Sequence, residues 1–333
     1  MQAMVLHRTR REGGGELVLE ERAIPVPAGR EVLVRALACG VCHTDLHIVD
    51  GDLDLPRLPL VPGHQVIGVV ESAGPDARHV GPGQRVGVAW LHRACGRCAY
   101  CRQDKENLCP NASFTGFDTD GGYAGYLTAD EDFIYPVPGD IDPAHAAPLL
   151  CAGVIGYRAL RQAEVKPGEA VGLYGFGASA HIAIQIARFW RCRVHVFSRS
   201  EEHRAHAREL GAVWAGSAEE APPEKLAASV VFAPVGAVVP HALEHLDRGG
   251  TVSLAGITMS EIPPLDYERH LYEERTLRSV TAATRSDAED LLDFAVRIPI
   301  HTDVETMRLE DANHALARMR QSVIRGAAVL DFR

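Results

Sequence analysis

The sequence predicts an α/β protein in two parts: a β-rich part, then a doubly wound parallel sheet. Three observations predict this. Residues 1 to about 90 read as short strands punctuated by Gly and Pro. From about residue 168, strands and helices alternate. A glycine-rich turn joins the first strand of that alternation to its helix.

The strands of the first part are QAMVLH, LVLEER, EVLVRALA, VIGVV and RVGVAW, separated by stretches such as VPAG and GPGQ. Residues 91–111 form a cysteine-rich excursion, after which GGYAGYLTA resumes strand character. DPAHAAPLLCAGVIGYRALRQA, rich in Ala and Leu, is expected to be helical. EAVGLYG then reads as a strand, GASAHIAIQIARFW as a helix, RVHVFSRS as a strand and EEHRAHAREL as a helix. SVVFAPV, TVSLAGI and RTLRSVT are further strands, with VPHALEHL a helix between the first two. SDAEDLLDFAVR is helix-like, and the tail ANHALARMR…GAAVLDFR closes the chain.

A length of 333 residues suits two domains. A net charge of −10 argues against nucleic acid or an anionic membrane as the main partner. No apolar run approaches the roughly 20 residues that span a bilayer. The opening MQAMVLHRTRR lacks the apolar core of a secretory signal, so a cytoplasmic location is expected.

Of eight cysteines, four fall within fifteen residues: Cys95-x2-Cys98-x2-Cys101-x7-Cys109. In a reducing compartment such a cluster points to metal before disulfides. Zinc accepts four thiolates in a closed tetrahedron, the arrangement of a structural site. An iron–sulfur cluster is the chemical alternative. The intervening Gly96, Arg97, Arg102, Asp104 and Lys105 are not core-like, which argues against four unrelated buried thiols.

Gly175-Phe176-Gly177-Ala178-Ser179-Ala180 fits G-x-G-x-x-G/A between a strand and a helix. Gly175 and Gly177 permit the tight turn and close approach of a pyrophosphate, and Ala180 permits close helix–strand packing. The next strand ends at Phe197-Ser198-Arg199-Ser200, without the acid that bonds the ribose hydroxyls of NAD. Arginine and hydroxyls there favour a 2′-phosphate, hence NADP(H). Glu201 and Glu202 follow closely and oppose that reading, and Arg199 as a solvent-facing helix start is the alternative.

A third constellation joins Cys42-His43-Thr44-Asp45-Leu46-His47, then His64 in VPGH, then Cys151 in LLCAG. Taken singly, these residues read as core or turn residues. Together with the four-cysteine lobe, GGYAGY, LLCAGVIGYRAL and GFGASA, they resemble the zinc-dependent medium-chain alcohol dehydrogenase family over nearly the whole chain. The resemblance implies a GroES-like catalytic domain of residues 1–152 and 282–333 around a Rossmann cofactor domain of residues 153–281. It implies two zinc ions per chain. Cys42, His64 and Cys151 correspond to the ligands of the catalytic ion, with a fourth position open. Cys95, Cys98, Cys101 and Cys109 correspond to the structural set.

By the same resemblance, Thr44 and His47 form a proton relay, Asp45 orients the His64 imidazole, and His43 contacts the pyrophosphate. Trp90 walls the substrate pocket; a core tryptophan is the alternative. The implied activity interconverts alcohols with aldehydes or ketones. The implied assembly is a homodimer or homotetramer through the RTLRSVT strand. The alternatives are an NAD(H)-preferring enzyme or a non-catalytic nucleotide-binding relative. One departure from many relatives is Gln65, which stands where they carry glutamate.

Overall fold

The computed structural model describes residues 1–298 and 300–333. The chain divides into two compact units, one of residues 1–151, 284–296 and 301–333, the other of residues 152–283 and 297–300.

The first unit opens with a hairpin of β1 (Gln2–Leu6) and β2 (Leu17–Glu21). β3 (Glu31–Val41) runs into helix α1 (His43–Asp50), and β4 (Val66–Ala73) and β5 (Arg85–Val88) follow. β6 (Leu91–Arg93) and β7 (Ser113–Phe114) bracket the cysteine lobe; then come β8 (Tyr126–Asp130), β9 (Ile134–Pro136) and the short α2 (Pro143–Ala146).

The second unit carries α3 (Ala152–Gln162), β10 (Ala170–Tyr174), α4 (Ala178–Phe189), β11 (Arg193–Phe197) and α5 (Glu201–Glu209). β12 (Trp214–Gly216), β13 (Leu226–Val231), α6 (Val238–His245), β14 (Leu246–Leu254), α7 (Tyr267–His270) and β15 (Thr276–Ser279) complete its order. α8 (Arg285–Arg297), β16 (Val304–Met307), α9 (Ala312–Arg320) and β17 (Ala327–Asp331) end the chain.

β3 is the hub of the first unit. In a seven-stranded sheet it pairs antiparallel with β4, β8 and the C-terminal β17. The tail read only as a return of the chain is therefore a sheet strand, fully buried at Ala328, Val329 and Leu330. Val32, Val34, Val66, Val70 and Leu127 pack in the same core, the burial expected of an apolar β-branched run.

In the second unit six parallel strands run in the order β12-β11-β10-β13-β14-β15. The order reverses beside β10, and β10 is the strand that leads into the glycine-rich turn. Its residues Val171 and Leu173 are fully buried, as a strand covered on both faces requires. No helix among the described residues is long and apolar enough to cross a membrane.

The helix expected over DPAHAAPLLCAGVIGYRALRQA is broken. α2 gives way to a 3₁₀ turn over Ala147–Leu150, Cys151 sits at φ −137°, ψ −68°, and α3 starts at Ala152. Pro148 explains the break, because it has no N–H to continue the helical ladder. The consequence is functional, since Cys151 is released from helical register.

Candidate active site and metal centres

Cys42 lies between β3 and α1 as the residue capping the helix. Its Sγ accepts the Thr44 N–H at 3.3 Å, and Asp45 Oδ2 accepts the Cys42 N–H at 3.0 Å. This reciprocal pairing satisfies two backbone donors at the helix start. The other Asp45 oxygen accepts the Gly63 N–H at 3.1 Å and lies 3.2 Å from His64 Nδ1. One fully buried carboxylate thus joins the start of α1 to the turn before β4. Gly63 has φ +98°, and a Cβ there would fall 2.4 Å from the Tyr123 ring, so both the backbone and the packing demand glycine.

With Nδ1 facing Asp45, His64 turns Nε2 toward two thiols. It lies 3.3 Å from Cys42 Sγ and 3.4 Å from Cys151 Sγ, and the two sulfurs are 4.0 Å apart. Tetrahedral zinc with ordinary Zn–S and Zn–N bonds separates such ligands by about 3.6–3.8 Å. The donor set and its spacing fit a zinc ion, and three protein ligands leave a tetrahedral ion a further position. Burial opposes charge on His64, yet the Cys42 thiolate and then the Asp45 carboxylate hold its imidazole up to about 10. Burial would raise the Cys42 thiol, but hydrogen bonding to Cys151 and the charge of His64 bring it well below its ordinary range. The group as a whole favours a thiolate beside a positive charge, and a dication supplies that charge in place of the imidazole proton.

Cys95, Cys98, Cys101 and Cys109 also converge, with their sulfurs within 4.8 Å of one another. Cys98 and Cys101 are 3.5 Å apart, and Cys95 and Cys101 3.9 Å. The backbone N–H groups of Arg97 and Cys98 hold the Cys95 thiol down to about 6, while burial and hydrogen bonding to Cys98 push Cys101 up to about 12. Between Cys95 and Cys109, the only buried residues are Glu106 and Asn107. Glu106 Oε1 accepts the Arg285 N–H at 2.8 Å and tethers the lobe to the start of α8. With no apolar core of its own, the lobe depends on its thiols and on that tether.

The other residues singled out in the first unit lie at the following places. Thr44, two residues beyond Cys42, is 8 % exposed. His43 is exposed at the start of α1. His47, in the last turn of α1, pairs through Nδ1 with Asp52 Oδ2 at 2.8 Å. Gln65 is buried with its side chain against Gly40, where a Cβ would lie 2.8 Å from Oε1. Trp90 meets the His64 ring edge-to-face at 5.0 Å and stacks on Phe114, also at 5.0 Å. Phe117 lies 5.8 Å from Trp90. Sequence reasoning missed Phe114, Phe117 and Tyr123; their only trace was the aromatic spacing within SFTGFDTDGGY.

In the second unit Gly175 has φ +88°, and its N–H donates to Phe197 O at 2.8 Å. Gly177 caps α4, and a Cβ there would meet nothing within 4 Å, so its backbone is open to a ligand. Ala180 is fully buried. Ser198 follows β11, and Arg199 is exposed. Glu201 is engaged by Arg204 at 2.6 Å and by Arg208 at 3.0 Å, which holds its carboxyl below the usual range. One of the two acids that oppose an anion at this position is therefore ion-paired within its own helix, though still charged.

An open Cys-His-Cys triad, a closed four-thiol lobe and a parallel sheet with a glycine turn at its switch point define a zinc-binding, nucleotide-dependent oxidoreductase. The sequence matches the "Alcohol dehydrogenase GroES-like domain" model over residues 28–139 and the "Zinc-binding dehydrogenase" model over residues 180–297. It is 46% identical over 312 residues to the probable alcohol dehydrogenase AdhA of Mycobacterium tuberculosis, covering 92% of this chain and 90% of that one. It is 38% identical to an alcohol dehydrogenase of Geobacillus stearothermophilus, with 90% and 91% covered. A cinnamyl alcohol dehydrogenase from Sorghum bicolor superposes with a TM-score of 0.90 at 27% identity, covering 99% of this chain and 97% of that chain. The chain belongs to the zinc-containing medium-chain alcohol dehydrogenase family. It is an alcohol dehydrogenase, zinc-dependent and served by a nicotinamide cofactor.

Proposed function

We propose that this enzyme interconverts alcohols and aldehydes or ketones with NADP(H), using a zinc held by Cys42, His64 and Cys151. The observation that carries this reading is the convergence of those three donor atoms within 3.3–4.0 Å. A zinc ion there supplies Lewis acidity to the substrate oxygen, and the nicotinamide supplies or takes the hydride. Asp45 fixes the tautomer and orientation of His64 through Nδ1. The Thr44 hydroxyl takes the proton from the substrate oxygen and passes it outward. His47, paired with Asp52 through Nδ1, receives it near the surface. Trp90, backed by Phe114, limits the width of the substrate pocket. Cys95, Cys98, Cys101 and Cys109 hold a second, structural zinc.

Gly175, Gly177 and Ala180 let the cofactor pyrophosphate approach the start of α4, His43 contacts it, and Ser198 and Arg199 receive a 2′-phosphate. The pairing of Glu201 with Arg204 and Arg208 supports this preference, because two cations offset part of its charge. Residues 1–152 and 282–333 are assigned to catalysis and 153–281 to cofactor binding. The assembly is a cytoplasmic homodimer or homotetramer joined through the strand containing Thr276–Ser279.

A panel of alcohols and aldehydes assayed with both cofactors, together with zinc analysis, tests the proposal. Two zinc ions per chain and a lower KM for NADPH than for NADH are expected. Arg199→Ala should raise the NADPH KM roughly tenfold, the size of one charge-assisted contact, and leave the NADH KM unchanged. An Arg199→Ala enzyme with unaltered NADPH KM would make the cofactor preference wrong.

Gln65 leads to a separate expectation. A carboxylate at that buried position would lower the positive potential at the triad. Gln65→Glu should therefore move the pH profile of kcat/KM in the alkaline direction by about one unit. Profiles measured side by side decide it; no movement, or an acid shift, sinks the idea.

A further inference from the structure

We propose that Tyr123 is a positioning residue for the metal triad: its buried and otherwise unsatisfied hydroxyl turns to donate to Asp45, the carboxylate that faces His64 Nδ1. This inference rests on Cys42, His64 and Cys151 holding zinc. Four observations carry it.

Tyr123 is fully buried, among the largest such side chains of the described residues. Its ring lies across Gly63, the residue whose N–H Asp45 accepts. The backbone locks it there: Tyr123 N–H donates to Pro62 O at 2.9 Å, and Gly122 N–H donates to Gly63 O at 2.9 Å. Finally, the phenolic oxygen is sealed from solvent and makes no hydrogen bond of ordinary length and angle, so it is a buried donor still to be satisfied, carried by a ring that lies on the residue whose N–H Asp45 accepts. A buried phenol beside a carboxylate stays protonated, so it can only donate.

Asp45 accepts the backbone N–H groups of Cys42 and Gly63 and faces His64 Nδ1 at 3.2 Å, and the Tyr123 hydroxyl would add a further donor. A carboxylate with no solvent access needs such donors to keep its charge and its orientation. The alternative is that the hydroxyl is an orphan tolerated for the sake of its ring. The two roles differ in sign. Removing an orphan hydroxyl stabilises the protein and leaves zinc alone, whereas removing a donor to Asp45 loosens His64 and hence the metal.

The test uses the holoenzyme and Tyr123→Phe, a change that keeps the ring and its packing. Zinc transfer to a chromogenic chelator is followed, and the pool absent from a Cys151→Ala enzyme identifies the triad's ion. Tyr123→Phe should release that pool about tenfold faster and the four-cysteine pool at the unchanged rate. In an Asp45→Asn background, Tyr123→Phe should add nothing. Release at the parent rate with a raised Tm, or an effect that persists in Asp45→Asn, overturns the proposal. If the parent itself carries a single zinc that survives Cys151→Ala, the metal assignment falls with it. Two zinc ions in the parent with no effect of Tyr123→Phe would overturn the Tyr123 role alone.

Discussion

Cys151→Ala is expected to lose one of two zinc ions per chain and to slow turnover by roughly a thousandfold, the several kcal/mol that a Lewis acid contributes to such a transition state. The structure makes Cys151 the most discriminating of the three positions. Cys42 also caps α1, and His64 sits in the turn before β4 directly after Gly63, where both backbone and packing demand glycine, so changing either disturbs local folding. Cys151 stands at a break between a 3₁₀ turn and α3, where no helical hydrogen bond depends on its side chain. Its thiol is held well above its ordinary range by hydrogen bonding to Cys42 and by burial, which marks it as the proton-bearing member of the group without an ion. The check is elemental zinc, kcat and thermal melting on one preparation. A variant that melts normally and yet keeps two zinc ions, or that turns over within tenfold of the parent, would remove Cys151 from the metal site.

The second large effect concerns the lobe. Cys98→Ser is expected to lose the other zinc ion and to open residues 95–109 to trypsin, with cleavage at Arg97, Arg102 or Lys105. All three lie exposed in a segment with no buried apolar side chain before Cys109. An order that rests on four thiolates and one ion should vanish with one ligand, because little burial remains to hold it. Cleavage at least about tenfold faster than in the parent is expected, confined to the lobe. The Glu106–Arg285 contact and the β6–β7 pair limit the damage at the lobe's two ends. Unchanged proteolysis with full zinc content would mean that something other than the metal orders this segment.

Much of the fold was legible because it depends on periodicity. Apolar β-branched runs gave β3, β4 and β10, and the turn from strand to helix at Gly175–Ala180 marked the switch point of the parallel sheet. What local pattern could not show was pairing across distance. The tail GAAVLDFR reads as an ending, yet it pairs with β3 nearly 300 residues away. The segment around Cys151 reads as one helix until Pro148 is weighed as a helix stop.

The candidate ligands were likewise visible by type and order, since thiols and imidazoles at recurring spacings are chemically conspicuous. Their supports were less visible. Asp45 stands out by resemblance, but its ties to Cys42 and Gly63 do not, and Tyr123 lies in a motif that says nothing of its contacts. A tyrosine acting from 78 residues beyond Asp45 has no sequence signature, because its partner is chosen by packing. Glu201 and Glu202 clouded the cofactor reading, and only helix geometry showed Glu201 turned to Arg204 and Arg208.

The sequence by itself therefore determined the chemistry present: which soft donors, which glycines, which missing acid, and the two rhythms of strand and helix. Only the tertiary structure decided which donors meet and what holds them. Local composition sets propensity and ligand type, whereas a three-ligand site drawn from residues 42, 64 and 151 exists only when a helix cap, a glycine turn and a broken helix converge.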